Sequence, residues 1–476
     1  MRDGYEMVIG LEVHCELSTA TKLFCGSPNT FGVEPNTNIC PVCLGLPGSL
    51  PVLNRRAVEL AMRIGEALNC TIKRSIFHRK NYFYPDMPKD YQISQYDEPI
   101  NVDGHLDLPD GTTIGIVRAH IEEDTGKTSH IGGSGGRIHG ADRSLVDYNR
   151  AGVPLVEIVS APDIRSAADA RAYVSELRGI LVATGASDGR MEEGSIRIDA
   201  NVSVRPVGSD ELGTRCEVKN LNSFRSLVRA IEYEAERQAE LLVSGASVTQ
   251  ETRHWDENAG RTHPLRSKEE AYDYRYFPEP DLVPLVPDAS LLEAARESAG
   301  MMPAARRLRL AELTGAEPVS DPIQTVIALD LDELVVAAAA LGADAPLALT
   351  RAANDVAARA EAATALEPSA FAALVRLESA GSLSATQAKT VLAELIESGG
   401  NADPADVARR LGFEALPSSE LDAFVDEVIA ANPSEWGRYL SGDPKVGQFL
   451  LGQVMRATKG RANGKLVAEA FAARRR

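Results

Sequence analysis

The sequence predicts an α+β protein, β-rich over residues 1–290 and all-α beyond them. Three observations carry this. Short β-rich runs with period-two alternation recur between turns through the first part. After about Pro287 alanine and leucine dominate and turns become sparse, which favours helices. The last stretch, from Val446, has an amphipathic pattern, then a Gly/Asn turn and a basic end.

The 476 residues exceed one ordinary domain. A composition of 44% hydrophobic, 25% charged and 5% aromatic residues is that of a soluble protein, with no apolar run long enough to cross a bilayer. MRDGYEMVIG carries Asp3 and Glu6 and enters a strand-like run at once, unlike a signal peptide, so a cytoplasmic protein is expected. Six cysteines in so long a chain do not suggest a disulfide framework. The net charge of −18 excludes a globally basic nucleic-acid binder, but residues 441–476 hold eight Lys and Arg against two Asp and Glu. A basic end on an acidic body suggests a local polyanion contact.

In chain order, MVIGLEVHCEL reads as a strand with Ile9, Leu11, Val13 and Cys15 on one face and Glu12, His14 and Glu16 on the other. A loop-rich stretch follows with Cys25 and the CPVC pair Cys40 and Cys43. This is three-quarters of a zinc knuckle, and since a structural zinc takes four ligands, free thiols are expected. Residues 54–69 read as a helix with Ala57, Leu60, Ala61, Ile64 and Leu68 on one stripe. FHRKNYFYPDMPKDYQ then mixes Lys80 and Lys89 with aromatic rings in a Pro-broken loop, a pattern suited to a substrate or nucleotide surface. The TGKT at 125–128 is no phosphate loop, because Ile121 stands where the first glycine belongs.

Asp142 to Asp163 joins Asp147, Asn149, Arg150 and Glu157 through Gly152 and Pro154, and its PLVEIVS run is a strand with a carboxylate inside it. That charge needs an ion-pair partner or a cation. Ala167–Leu181 reads as a helix. Arg197, Asp199, Asn201 and Ser203 then share one side of a strand, Glu217 and Lys219 sit alike in RCEVKNLN, and Asn222 or Ser223 caps the helix that begins near Phe224.

Glu12, His14, Glu122 or Glu123, Glu157, Asp199 and Glu217 form an oxygen-rich, thiol-free set, the ligand chemistry that Mg2+ or Mn2+ selects. With the Arg and Lys residues of the same half, it allows metal-dependent phosphoryl transfer by positioning and electrostatics; structural ion pairs would give the same pattern.

VDYNRAGVPLVEIVSAP at 146–162 resembles the signature of the GatB/YqeY family, the B subunits of the aspartyl/glutamyl-tRNA amidotransferases. Further similar blocks are VIGLEVH, NTNICPVCLGLPGSLPVLN, FHRKNYFYPDMPKDYQISQ, HIEEDTGK, EEGSIRIDANVSVR, EVKNLNSF and DYRYFPEPDL; they lie in order across residues 7–285. GQFLLGQVMRATKGRANGK resembles the family's tail.

The resemblance implies a glutamine synthetase-like cradle (1–290), a helical domain (291–405) and a small YqeY-like tRNA-binding tail (406–476). It implies ATP-dependent phosphorylation of the side-chain carboxylate of Glu-tRNA(Gln) or Asp-tRNA(Asn). Ammonia from a partner amidase, the family's A subunit, then amidates it, and a small C subunit joins the two. The resemblance places an Mg2+ site on Glu12, His14, Glu123 and Glu157, Glu123 being preferred to Glu122 for its place in the motif. From the chemistry of the residues, Arg150, Asp199, Asn201, Glu217, Lys219, Lys80 and Lys89 are candidates for substrate and ATP, and Lys459, Arg461 and Lys465 for tRNA. The family's Cys-x-Cys is here Cys25-Gly26-Ser27, one thiol short for zinc. The alternative is a tRNA-docking scaffold without chemistry of its own.

Overall fold

The computed structural model describes residues 4–132, 140–191, 193–267, 274–297, 301–360, 362–413, 418–441, 444–458, 462 and 464–474. The chain divides into two compact units, 1–303 and 304–476.

The strands of the first unit are β1 (Tyr5–Glu16), β2 (Thr71–Ile72), β3 (His78–Asn81), β4 (Tyr91–Ser94), β5 (Asn101–Asp107), β6 (Thr113–Glu123), β7 (Lys127–Ile131), β8 (Arg143–Asp147), β9 (Pro154–Ser160), β10 (Ile196–Pro206), β11 (Cys216–Lys219), β12 (Glu251–Asp256), β13 (Arg261–Ser267) and β14 (Phe277–Pro278). A nine-stranded sheet runs in the order β13-β12-β11-β10-β1-β9-β6-β5-β2. Its neighbours are antiparallel except for β11 and β12. A three-stranded sheet has the order β14-β3-β4, and β7 pairs with β8.

The alternation expected for β1 holds: Ile9, Leu11, Val13 and Cys15 are buried, while Glu12, His14 and Glu16 are half-buried on the other side. The apolar face packs against three helices, α1 (Arg55–Ala67), α2 (Ala167–Ala183) and α3 (Phe224–Val243), in one continuous core. The α1 stripe of Ala57, Leu60, Ala61 and Ile64, with Leu68 just beyond it, is fully buried. Each helix starts on a side-chain cap, Asn54, Ser166 and Ser223 accepting first-turn N–H groups that would otherwise lack partners. Asn101 ties α1 to the sheet, its amide donating to the carbonyls of Ala61 and Ala119 at 3.0 Å each. Gly65 makes the room: a Cβ there would lie 2.0 Å from Asn101 Oδ1.

Among its described residues the second unit has only helices as regular elements, and it holds two apolar cores, one spanning Leu310 to Ala408 and one Leu421 to Phe471. In the first, Arg351 is buried between Asp355 and Glu378, beside a π-helical turn at Ala352–Val356. The second includes helices Pro444–Ala457 and Gly464–Arg474. Lys459 and Arg461 lie outside the described residues, as does the side chain of Lys465. Among the described residues no helix is long and apolar enough to cross a membrane.

Candidate active site

Residues opposite one another in an antiparallel pair share a sheet face. Register therefore decides which polar groups meet. His14 of β1 stands opposite Glu157 of β9, which stands opposite His120 of β6. On the other flank His14 faces Arg197 and Glu12 faces Asp199 of β10, while Asn201 faces Glu217 of β11. A polar row thus crosses five strands on the face away from the helices.

At its centre, His14 Nε2 lies 3.5 Å from Glu122 Oε1 and 3.6 Å from Glu157 Oε2. His120 Nε2 is 3.5 Å from Glu157 and 3.7 Å from Glu122. Arg118 reaches Glu157 at 3.8 Å. Asn201 Nδ2 donates to Glu12 at 2.9 Å. Lys219 Nζ bridges Asp199 at 2.6 Å and Glu217 at 2.8 Å, and Thr252 donates its hydroxyl to Glu217.

The electrostatics follow from crowding. Burial and then the neighbouring Glu157 push the Glu12 carboxyl above its usual range, against the hydrogen bond from Asn201. Burial opposes the charged form of His14, but the hydrogen bond to Glu157 and the carboxylates around it outweigh this and raise the imidazole to about 9. Burial likewise opposes ionisation of Glu157, and the imidazoles of His120 and His14 overcome it, holding that carboxyl below its usual range. His14, Glu122 and Glu157 each offer one ligand atom within 4.8 Å of the others. Two carboxylate oxygens, with Glu12 alongside and the His14 nitrogen once a bound cation has displaced its proton, fit a hard divalent cation.

One expectation needs correction. The carboxylate that joins His14 and Glu157 is Glu122, not Glu123. Side chains alternate along a strand, so adjacent glutamates face opposite ways. Glu123 points to the other side, where it pairs with Lys89 and accepts the Ile93 N–H at 2.8 Å. His120, which sequence reasoning missed, carried the signal: in HIEE the histidine and the first glutamate share a face.

The other candidates divide. Glu12, His14, Glu157, Asp199, Asn201, Glu217 and Lys219 come together. Lys80 on β3 lies within electrostatic reach of Glu122 and Glu157, with its ammonium 4.8 Å from the ring centre of Tyr274. Lys89 is occupied by Glu123. Arg150 is engaged by Asp124 at 3.3 Å and by the carbonyls of Thr125 and Gly126, where it fixes the turn after β6. The sulfurs of Cys25, Cys40 and Cys43 cluster within 4.8 Å. This is one donor short of a closed tetrahedral zinc site, and the residues present do not fit one. The Cys25 thiol instead donates toward Cys43, and this contact, with the Cys40 N–H at 3.0 Å, holds the Cys43 thiol below its usual range.

Comparison with known proteins gives a consistent result. Residues 7–293 match the model of the GatB/GatE catalytic domain and residues 333–474 that of the GatB domain. A protein of Mycobacterium sp. (strain KMS), named as the B subunit of an aspartyl/glutamyl-tRNA(Asn/Gln) amidotransferase, is 49% identical over 483 residues, covering 98% of this chain and 95% of the relative. One of the same name from Mycobacterium tuberculosis (strain ATCC 25618 / H37Rv) is 49% identical over 482 residues, covering 98% of this chain and 94% of the relative.

Proposed function

The chain belongs to the GatB family, and from that premise we propose that its polar sheet face activates the side-chain carboxylate of Glu or Asp carried on tRNA. The role is that of the B subunit of a tRNA-dependent amidotransferase. In the proposed reaction ATP phosphorylates the carboxylate, giving an acyl phosphate and ADP. Ammonia then attacks the acyl carbon, the C–O bond to phosphate breaks, and the amide and inorganic phosphate leave. The substrates are Glu-tRNA(Gln), Asp-tRNA(Asn) or both. The ammonia comes from the amidase, or A, subunit, which a small C subunit holds in place. The β-rich unit is read as a glutamine synthetase-like cradle, and the basic tail as the part that holds the tRNA.

Glu12, His14, Glu122 and Glu157 would hold Mg2+, which supplies charge neutralisation for the triphosphate. The chain's own contributions are separate. Lys80 offers a cation to the transferring phosphoryl group, whose negative charge must be balanced in a site that excludes water. Asp199 and Glu217 fix the Lys219 ammonium by two short contacts, so it meets a substrate carboxylate in a set position. Keeping bulk water out protects the acyl phosphate from hydrolysis.

The observation that carries this reading is the juxtaposition of Glu12, His14, Glu122, Glu157, Asp199 and Lys219 on one face of a sheet whose other face is buried core. The test uses the assembled three-subunit enzyme. Glu12→Gln and Glu157→Gln should each abolish ATP-dependent amidation while tRNA still binds. Full activity in both variants would overturn the assignment.

A further inference from the structure

Beside the acid row the small sheet carries two tyrosines with no part in the scheme above. The rings of Tyr96 and Tyr276 stack with centroids 4.2 Å apart and planes 9° from parallel. Aromatic pairs that only fill a core are buried, yet Tyr96 is 58% exposed.

Their position is set by the strands. Tyr96 follows β4 and Tyr276 immediately precedes β14, the two strands that flank β3. His78 and Lys80 share one side of β3. His78 meets the Tyr96 ring edgewise at 6.1 Å, and Phe277 pairs with Arg79, so Tyr276 continues that register toward Lys80. This side looks onto the acid row. The Ser94 hydroxyl donates to Glu122 Oε2 at 3.3 Å, and both Lys80 and Tyr276 lie within electrostatic reach of Glu122 and Glu157. Rings, a lysine and a cation-binding cluster thus occur together in one neighbourhood. A purine nucleotide presents the matching groups, a flat base and anionic phosphates.

We propose that the Tyr96–Tyr276 pair is a stacking platform for an adenine base. The inference rests on the functional reading above, in which two substrates carry adenine: ATP, and the 3′-terminal adenosine of the tRNA that bears the amino acid. Stacking suits either one, because it uses the π-face of the base and not its hydrogen-bonding edge.

The test is steady-state amidation by the assembled enzyme, with KM for ATP and KM for the aminoacyl-tRNA measured separately at saturating levels of the other. Tyr96→Ala should raise one of the two by about tenfold, the loss expected for removing one ring from under a base, with kcat held within about twofold. A rise in the ATP value assigns the platform to ATP; a rise in the tRNA value assigns it to the terminal adenosine. Tyr96→Phe keeps the ring and should behave as the parent, whereas Tyr96→Leu keeps the bulk without the π-face and should behave as Tyr96→Ala. Unchanged KM values in Tyr96→Ala, equal impairment in Tyr96→Phe, or a fall in kcat alone would each overturn the proposal. Failure of the platform would leave Glu157→Gln inactive as before, while failure of the site reading would show as an active Glu157→Gln enzyme.

Discussion

Exchanging one glutamate at a time in the HIEE stretch tests the face assignment of the two neighbours. Glu122→Gln removes one of the two carboxylates near His14 Nε2, at 3.5 Å, and one of the four residues proposed to hold the cation. Losing such a donor should raise the Mg2+ concentration for half-maximal amidation by ~10–100-fold, or ~1.4–2.8 kcal/mol. Glu123→Gln acts on the other face. It leaves the buried Lys89 ammonium without its counter-charge. Breaking one side of a buried pair costs about 3 kcal/mol, a fall of roughly 5–10 °C in the melting midpoint of the β-rich unit. The assays are an Mg2+ titration of the assembled enzyme and thermal unfolding of the chain. The two variants should dissociate, the first in Mg2+ requirement and the second in stability. A raised Mg2+ requirement in Glu123→Gln with a normal one in Glu122→Gln would refute the reasoning from register.

Three further outcomes are expected. Gly65→Ala should destabilise the first unit by ~1–3 kcal/mol in urea unfolding, because its Cβ has no room beside Asn101; an unchanged midpoint would show that the amide moves aside freely. Ser27→Cys supplies a fourth thiol beside Cys25, Cys40 and Cys43 and should bring bound zinc to about one per chain by elemental analysis, well above the parent; equal zinc in the two would contradict the count of donors. Glu234 is fully buried, and although burial opposes its charge, Arg237, Gln238 and Thr262 hold its carboxyl below the ordinary 4.5. A depressed folded-state value means that this stabilisation is present above 4.5 and fades as the pH falls through the folded-state value. Glu234→Gln should therefore lower the melting midpoint most near neutral pH, with the gap narrowing in acid; a gap constant with pH would contradict the charge-based account.

What the sequence could reveal depended on whether a signal was local. The two faces of β1 were legible from alternation alone, and so were the α1 stripe and a cap at Asn222 or Ser223, because each depends on residues within a few positions; the structure puts the cap at Ser223. Glu12, His14 and Glu157 were recognisable as charges inside apolar strands. The choice between Glu122 and Glu123 needed a strand phase, which His120 supplies once the run is read with period two. Arg150 and Lys89 looked free to meet a substrate because their partners, Asp124 and Glu123, lie 26 and 34 positions away, and ion pairs at such separations leave no periodic trace. Half of the Arg351 site was hidden for the same reason: Asp355 is a local i,i+4 partner, but Glu378 lies 27 positions on.

Strand β1 carries chemistry and core on alternate residues, so neither can move without the other. Sliding its pairing by a single position would drive Glu12 and His14 into oil and turn Leu11 and Val13 outward to water. The greasy side therefore acts as a proof-reader for the charged side: a molecule that has folded at all has its acidic groups aligned. An engineer seeking a new substrate here would do better to recut the surrounding loops than to insert or delete within this ribbon.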